Sequence, residues 1–135
     1  MPMIPSVLGV GVYTAVKLGG YAAFAAGLNR VARRDVPVFR FAVVKTLIGL
    51  AGGFTYLLVL PALIRGDPSD LVLWAGAIPV RLLVWSLVLG WFYGFRVRPG
   101  LMSLAVIAGV AWSYALDAVM GALFFRLPGM MMPFC

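Results

Sequence analysis

Residues 46–64 read TLIGLAGGFTYLLVLPALI, nineteen consecutive positions without a charge. A helix that crosses a bilayer needs about 20 largely apolar residues, so this stretch is long enough to span one. Residues 99–116, PGLMSLAVIAGVAWSYAL, form a second uncharged run of nearly the same length. Working outward, residues 5–28 and 71–95 are also apolar but are interrupted by Lys17 and Arg81, and they qualify on average hydrophobicity only. Apolar residues fill every face of these segments instead of alternating at period two, which favours helices over a small transmembrane barrel. The expected fold is an all-α integral membrane protein: one domain over residues 1–135, a compact antiparallel bundle of four transmembrane helices at 5–28, 38–64, 71–95 and 100–125.

Composition agrees. Of 135 residues, 64% are apolar and 11% charged, against about 45–50% and 25% in ordinary soluble domains. Too few polar groups exist to clothe a water-facing surface, so aqueous enzymes, nucleic-acid modules and disordered linkers are excluded. The net charge of +7 does not restore a nucleic-acid partner, because most basic residues sit between the apolar runs, where membrane proteins keep them. With no His and one Cys, multi-ligand zinc sites, bis-His haem and intrachain disulfides are ruled out, and no cofactor or metal is expected. Met130, Met131 and Met132 near Cys135 do not make a soft-metal site, since adjacent methionines do not converge; the tail reads as apolar chain on the outer surface.

The connections are short and rich in turn chemistry, as in Asp67-Pro68 and Arg98-Pro99-Gly100, so consecutive helices should lie antiparallel and adjacent. Arg30, Arg33, Arg34 and Arg40 flank the first connection and Arg96 and Arg98 the third, whereas Arg65 in the second is offset by Asp67 and Asp70. Lys and Arg excess marks the cytoplasmic side, which puts connections one and three inside and both termini on the non-cytoplasmic side. The N-terminal residues lack a basic n-region, so the first helix is expected to stay in the mature protein. Nine of the eleven basic residues are Arg, a bias of GC-rich bacterial genomes, and the expected location is the bacterial cytoplasmic (inner) membrane.

Helices in lipid associate through close packing and polar contacts. Small residues recur at four-residue spacing in Gly11, Ala15, Gly19, Ala23 and Gly27, and in Ala105, Gly109, Ser113, Asp117 and Gly121. Shorter rows occur at Gly49 and Gly53 and at Ser86, Gly90 and Gly94. The expected use of these rows is packing within the bundle, with an oligomer or larger-complex interface as the alternative.

Each span also carries one ionisable residue: Lys17, Lys45, Arg81 and Asp117. Such groups cost about 2.5–3.5 kcal/mol each at mid-membrane and so ask for a partner, water or function. Arg81 and Asp117 lie at matching depths, roughly 15 and 12 Å from the outer ends of their helices, which suits an ion pair. Lys17 is the competing partner for Asp117, and Lys45 is near enough to the inner end to snorkel. Tyr13 and Tyr21 share the face of Lys17. Trp85, one turn beyond Arg81, is placed to shield the guanidinium, and Pro79 deprives the Ala75 carbonyl of its helical donor. Trp74, Trp91 and Tyr93 read as interfacial anchors, Trp85 and Trp112 as core.

Three cations against one anion at membrane depth suit an anionic group brought in by a molecule with its own apolar tail. The candidate ligand-binding residues are Lys17, Arg81, Asp117, Lys45, Tyr13, Tyr21 and Trp85. The favoured function is binding or transport of an anionic lipid or lipophilic anion, with anionic membrane lipids as partners. An accessory or structural subunit of a larger membrane complex is the first alternative, and an intramembrane enzyme acting on a lipid-linked substrate the second. For the enzyme, Ser113 lies one turn from Asp117 and Thr46 beside Lys45, but neither is a catalytic pattern, and one carboxylate makes neither an acid–base pair nor a magnesium site. A small multidrug transporter would need a carboxylate in the first span, where this chain has Lys17.

Orientation is open to direct measurement. Single cysteines at positions 33 and 98 should react with an impermeant reagent from the cytoplasmic side only, and one at position 67 only from the opposite side. The reverse pattern would invert the topology.

Overall fold

A computed structural model describes residues 7–64, 69–94 and 98–126. It contains four helices in order: α1 (Val7–Ala32), α2 (Val38–Ile64), α3 (Asp70–Tyr93) and α4 (Pro99–Arg126). Each packs against its neighbour in sequence, and α1 closes the ring against α4. Asp67-Pro68, Arg65, Arg96 and the Met-rich tail to Cys135 lie outside the described residues.

The helix ends follow from local chemistry. Pro99 starts α4, where its missing N–H is one that a helix start leaves unbonded anyway. Gly94 ends α3 with φ 72°, and its N–H donates to the Gly90 carbonyl at 3.0 Å. α1 runs four residues past its expected end and stops at Arg33, whose φ of 51° is left-handed. The Arg34 N–H then reaches back to the Asn29 carbonyl at 3.1 Å, the closing bond of a Schellman motif. Asn29 does more. Its amide donates to the Val36 carbonyl at 2.8 Å, and its oxygen accepts from the Tyr93 hydroxyl at 2.8 Å. One residue thus fixes the α1–α2 connection and ties it to the end of α3. Tyr93 is therefore buried and is not the interfacial anchor its position near a span end suggested.

Among the described residues, three helical stretches are long and apolar enough to cross a membrane: Val38–Ile64, Leu71–Tyr93 and Pro99–Leu123. The expected fourth, α1, has the length at 26 residues but is diluted by Gly9, Gly11, Gly19, Gly20, Gly27, Thr14 and Lys17. The bundle is apolar outside, with Leu47, Phe54, Leu58, Leu83, Trp91, Leu104 and Ile107 all exposed. Its interior holds Lys17, Lys45, Arg81 and Asp117.

The small-residue rows divide. On α4, Ala105, Gly109, Ser113 and Asp117 are buried along the bundle seam, and a Cβ at Gly109 would stand 2.5 Å from the Trp85 ring. On α1, Gly11, Ala15, Gly19, Ala23 and Gly27 face outward, which corrects the expectation that they pack inside. The reason is geometric. The row Tyr13, Lys17, Tyr21 and Ala25 is offset by two residues, about 200° around a helix, so both rows cannot point inward. Placing Lys17 on the apolar outer face would cost more than placing glycines there.

Gly109→Ala, which presses a methyl into a fully buried ring, should destabilise the fold by about 1–3 kcal/mol. Gly11→Ala meets nothing within 4 Å and should be neutral or stabilising by up to about 1 kcal/mol. Thermal unfolding in detergent compares the two, and equal shifts would show that the α4 seam is not tightly packed.

Candidate functional site

The four charges carried inside the helices are all buried. Lys17 Nζ donates to Asp117 Oδ1, and Arg81 Nη2 donates to Asp117 Oδ2. Both expected partners of Asp117 are therefore engaged at once, one on each carboxylate oxygen. All three residues are buried, Lys17 most completely at 1% exposure. The triad joins α1, α3 and α4 at one depth and carries a formal charge of +1.

Aromatic rings line the lysines. Lys17 Nζ lies 5.6 Å from the centre of the Tyr13 ring and 5.8 Å from that of Tyr21. Lys45 is also buried, so the snorkelling expected of it does not occur. Its ammonium rests over Tyr21 at 4.5 Å and over Trp85 at 4.7 Å. The ring quadrupole attracts a cation, and this is worth most where water is scarce. Trp85 thus serves Lys45 and not Arg81, as the sequence had suggested. Arg81 stacks instead on Tyr114, its Cζ 4.1 Å from the ring centre.

Ser113 links the aromatic and charged parts. Its hydroxyl accepts from Trp85 Nε1 at 3.0 Å and lies 3.4 Å from the Tyr21 hydroxyl. Those bonds make it a cross-helix tie, and they account for its burial one turn from Asp117. Trp112, expected in the core, is 39% exposed and donates to the Gly20 carbonyl at 2.9 Å.

A cleft runs beside the triad between α2 and α3, with Ser113 of α4 at its floor. Lys45, Gly49, Gly53 and Tyr56 form its α2 wall, and Ala77, Val80, Arg81 and Val84 much of its α3 wall. The water-sized space inside is about 30 Å³, room for one or two waters or for the oxygens of an incoming group. Arg81 lines this cleft, and its Nε and Nη1 are buried without a hydrogen-bond partner among the described residues. A guanidinium has five donor hydrogens, and Asp117 uses only its Nη2 end. Toward the start of α3, the Tyr56 hydroxyl donates to the Leu73 carbonyl at 3.1 Å and the Tyr114 hydroxyl to the Trp74 carbonyl at 2.7 Å. These tyrosines secure the α3 stretch that precedes Pro79.

The seven residues singled out in the sequence therefore share one connected region, although Tyr13 lies at its edge with Met120. Tyr114, Asn29 and Tyr56 were missed, and Ser113 was noted only for its place one turn from Asp117. A signal did exist for two of them: Lys45, Gly49, Gly53 and Tyr56 fall on one face of α2, and Tyr114 sits one turn from Asp117. No known protein family, curated protein or solved structure matches the chain.

Asp117→Leu leaves two buried cations facing one another and should be the most damaging single change here, at about 3–5 kcal/mol. Lys17→Met or Arg81→Met each leaves one pair intact and should cost less. Adding both to Asp117→Leu should recover stability, a non-additivity visible in detergent unfolding. Strict additivity would show that the three charges act independently.

Proposed function

We propose that this is an integral membrane protein that binds, or carries across, an anionic lipid or lipophilic anion through its intramembrane basic residues. The observation that carries this reading is the Arg81 guanidinium: bound to Asp117 through Nη2, with Nε and Nη1 buried and lacking a hydrogen-bond partner among the described residues, beside a cleft that Arg81 and Lys45 both line. An unused buried donor costs about 1–3 kcal/mol, more when charged, and an anionic oxygen would satisfy it. Arg81 supplies directional donors and Lys45 a point charge. The apolar upper walls suit the tail that such a ligand brings. Of the candidate cations, Lys45 and Arg81 line this cleft and Lys17 does not.

The apolar exterior supports a membrane setting, and the arginines of the first and third connections support the orientation with both termini outside. By the same reading the location is a bacterial cytoplasmic membrane. A second reading rests on the outward row of α1. Gly11, Ala15, Gly19 and Ala23 offer the close-approach surface through which membrane helices associate, as a subunit of a larger assembly would need.

Titration with dodecyl phosphate, with dodecanol as the uncharged control, tests the first reading. Arg81→Lys keeps a cation on Asp117 but removes the spare donors, and together with Lys45→Met it should weaken dodecyl phosphate binding by roughly tenfold or more. Dodecanol binding should not change. Equal affinity for dodecyl phosphate in parent and variant would overturn the proposal.

A further inference from the structure

A second feature lies on the opposite side of the bundle, where α1 meets α4. Ala23, Phe24, Gly27, Leu28 and Val31 form one wall of an apolar groove of about 320 Å³, and residues from Leu101 to Trp112 form the other. At one end it runs into a hollow of about 470 Å³ lined by Arg33, Arg34 and Arg98, with Val31 and Leu101 common to both. At the other end the Trp112 indole, bonded to the Gly20 carbonyl, closes it.

We infer that this groove is a binding site for one anionic phospholipid of the inner leaflet, its phosphate on Arg33, Arg34 and Arg98 and one acyl chain along α1 and α4. The inference uses the membrane setting but is independent of the α2–α3 cleft. Three observations support it. The first is length: the groove spans about 12 Å of α1 from Ala23 to Val31 and about 16 Å of α4 from Leu101 to Trp112. One leaflet of hydrocarbon is half of about 30 Å, so the groove is one acyl layer deep. The second is charge: the arginines cluster at one mouth of the groove, at headgroup level, while the rest of its lining is apolar. The first turn of α4 adds outward-directed N–H groups and the positive end of its dipole at the same place.

The third is backbone strain. Arg33 holds the left-handed position at the end of α1, with φ 51°, where glycine is the usual occupant. A side chain kept there at a cost is explained by what the guanidinium does, since a turn alone would be better served by glycine. Gly27 supplies the complementary feature. A Cβ there meets nothing within 4 Å, so the backbone leaves space beside it that the protein itself does not fill.

The test is native mass spectrometry of the full chain from bilayers containing equal phosphatidylglycerol and phosphatidylcholine. The parent should retain phosphatidylglycerol preferentially. Arg33→Gly fits the left-handed turn and should fold at least as well as the parent while lowering that preference. The triple change Arg33→Gly, Arg34→Gln and Arg98→Gln should lower it on the order of a hundredfold. Gly27→Leu, which fills the groove, should reduce retention of both lipids, whereas Gly11→Leu, also meeting nothing within 4 Å, should not. An unchanged lipid ratio in the triple variant, or parental retention in Gly27→Leu, overturns the inference. So does a parent dimer that Gly27→Leu converts to monomer, because a second copy would then occupy the groove. Dodecyl phosphate titration of the triple variant, which leaves Lys45 and Arg81 intact, separates this site from the α2–α3 cleft.

Discussion

One carboxylate organises this bundle. Asp117 is the only acidic residue within the spans, and each of its oxygens holds a cation from a different helix. Where water is scarce, an uncompensated charge costs several kcal/mol, so α1 and α3 must bring Lys17 and Arg81 to the same depth on α4. That requirement sets the rotation and height of three helices together. α2 joins by another route: the Lys45 ammonium lies over rings from α1 and α3. In a bundle this apolar on its outside, apolar contrast alone does not say which faces meet, and polar contacts of this kind carry the specificity.

The same constraint creates the reactive surplus. Asp117 can neutralise only one of its two partners, and its bond to one Arg81 nitrogen leaves Nε and Nη1 without a partner among the described residues, on a side chain that lines the α2–α3 cleft. The Tyr114 ring lies against the guanidinium, 4.1 Å from Cζ to the ring centre. Gly49 and Gly53 thin the α2 wall opposite. A donor set, a neighbouring ammonium and an apolar approach are therefore assembled by residues whose first task is to hold the helices.

Turning Lys17 inward has an outward consequence. With Tyr13, Lys17, Tyr21 and Ala25 committed to the interior, the glycine row of α1 faces away from the bundle. Near the arginine-rich end that face borders α4 across the groove beside Gly27. The polar seam and the outer groove are two results of one helical rotation.

The sequence by itself determined the all-helical class, the number and near-limits of the four helices, and the charges that needed partners. These follow from uncharged run lengths, turn residues and the cost of burying ions, all local or additive. It also placed Arg81 and Asp117 at one depth, because rise per residue is constant. Tertiary structure alone decided that Lys17 and Arg81 share Asp117, since depth arithmetic ranks partners one at a time and cannot show that two oxygens serve two helices. It alone decided that Trp85 covers Lys45 and Tyr114 covers Arg81, because those pairings depend on helix rotation. Rotation also decided which row of α1 faces in. The periodicity of Gly11–Gly27 and that of Tyr13–Ala25 are equally regular in sequence, and only the need to bury Lys17 against Asp117 distinguishes them.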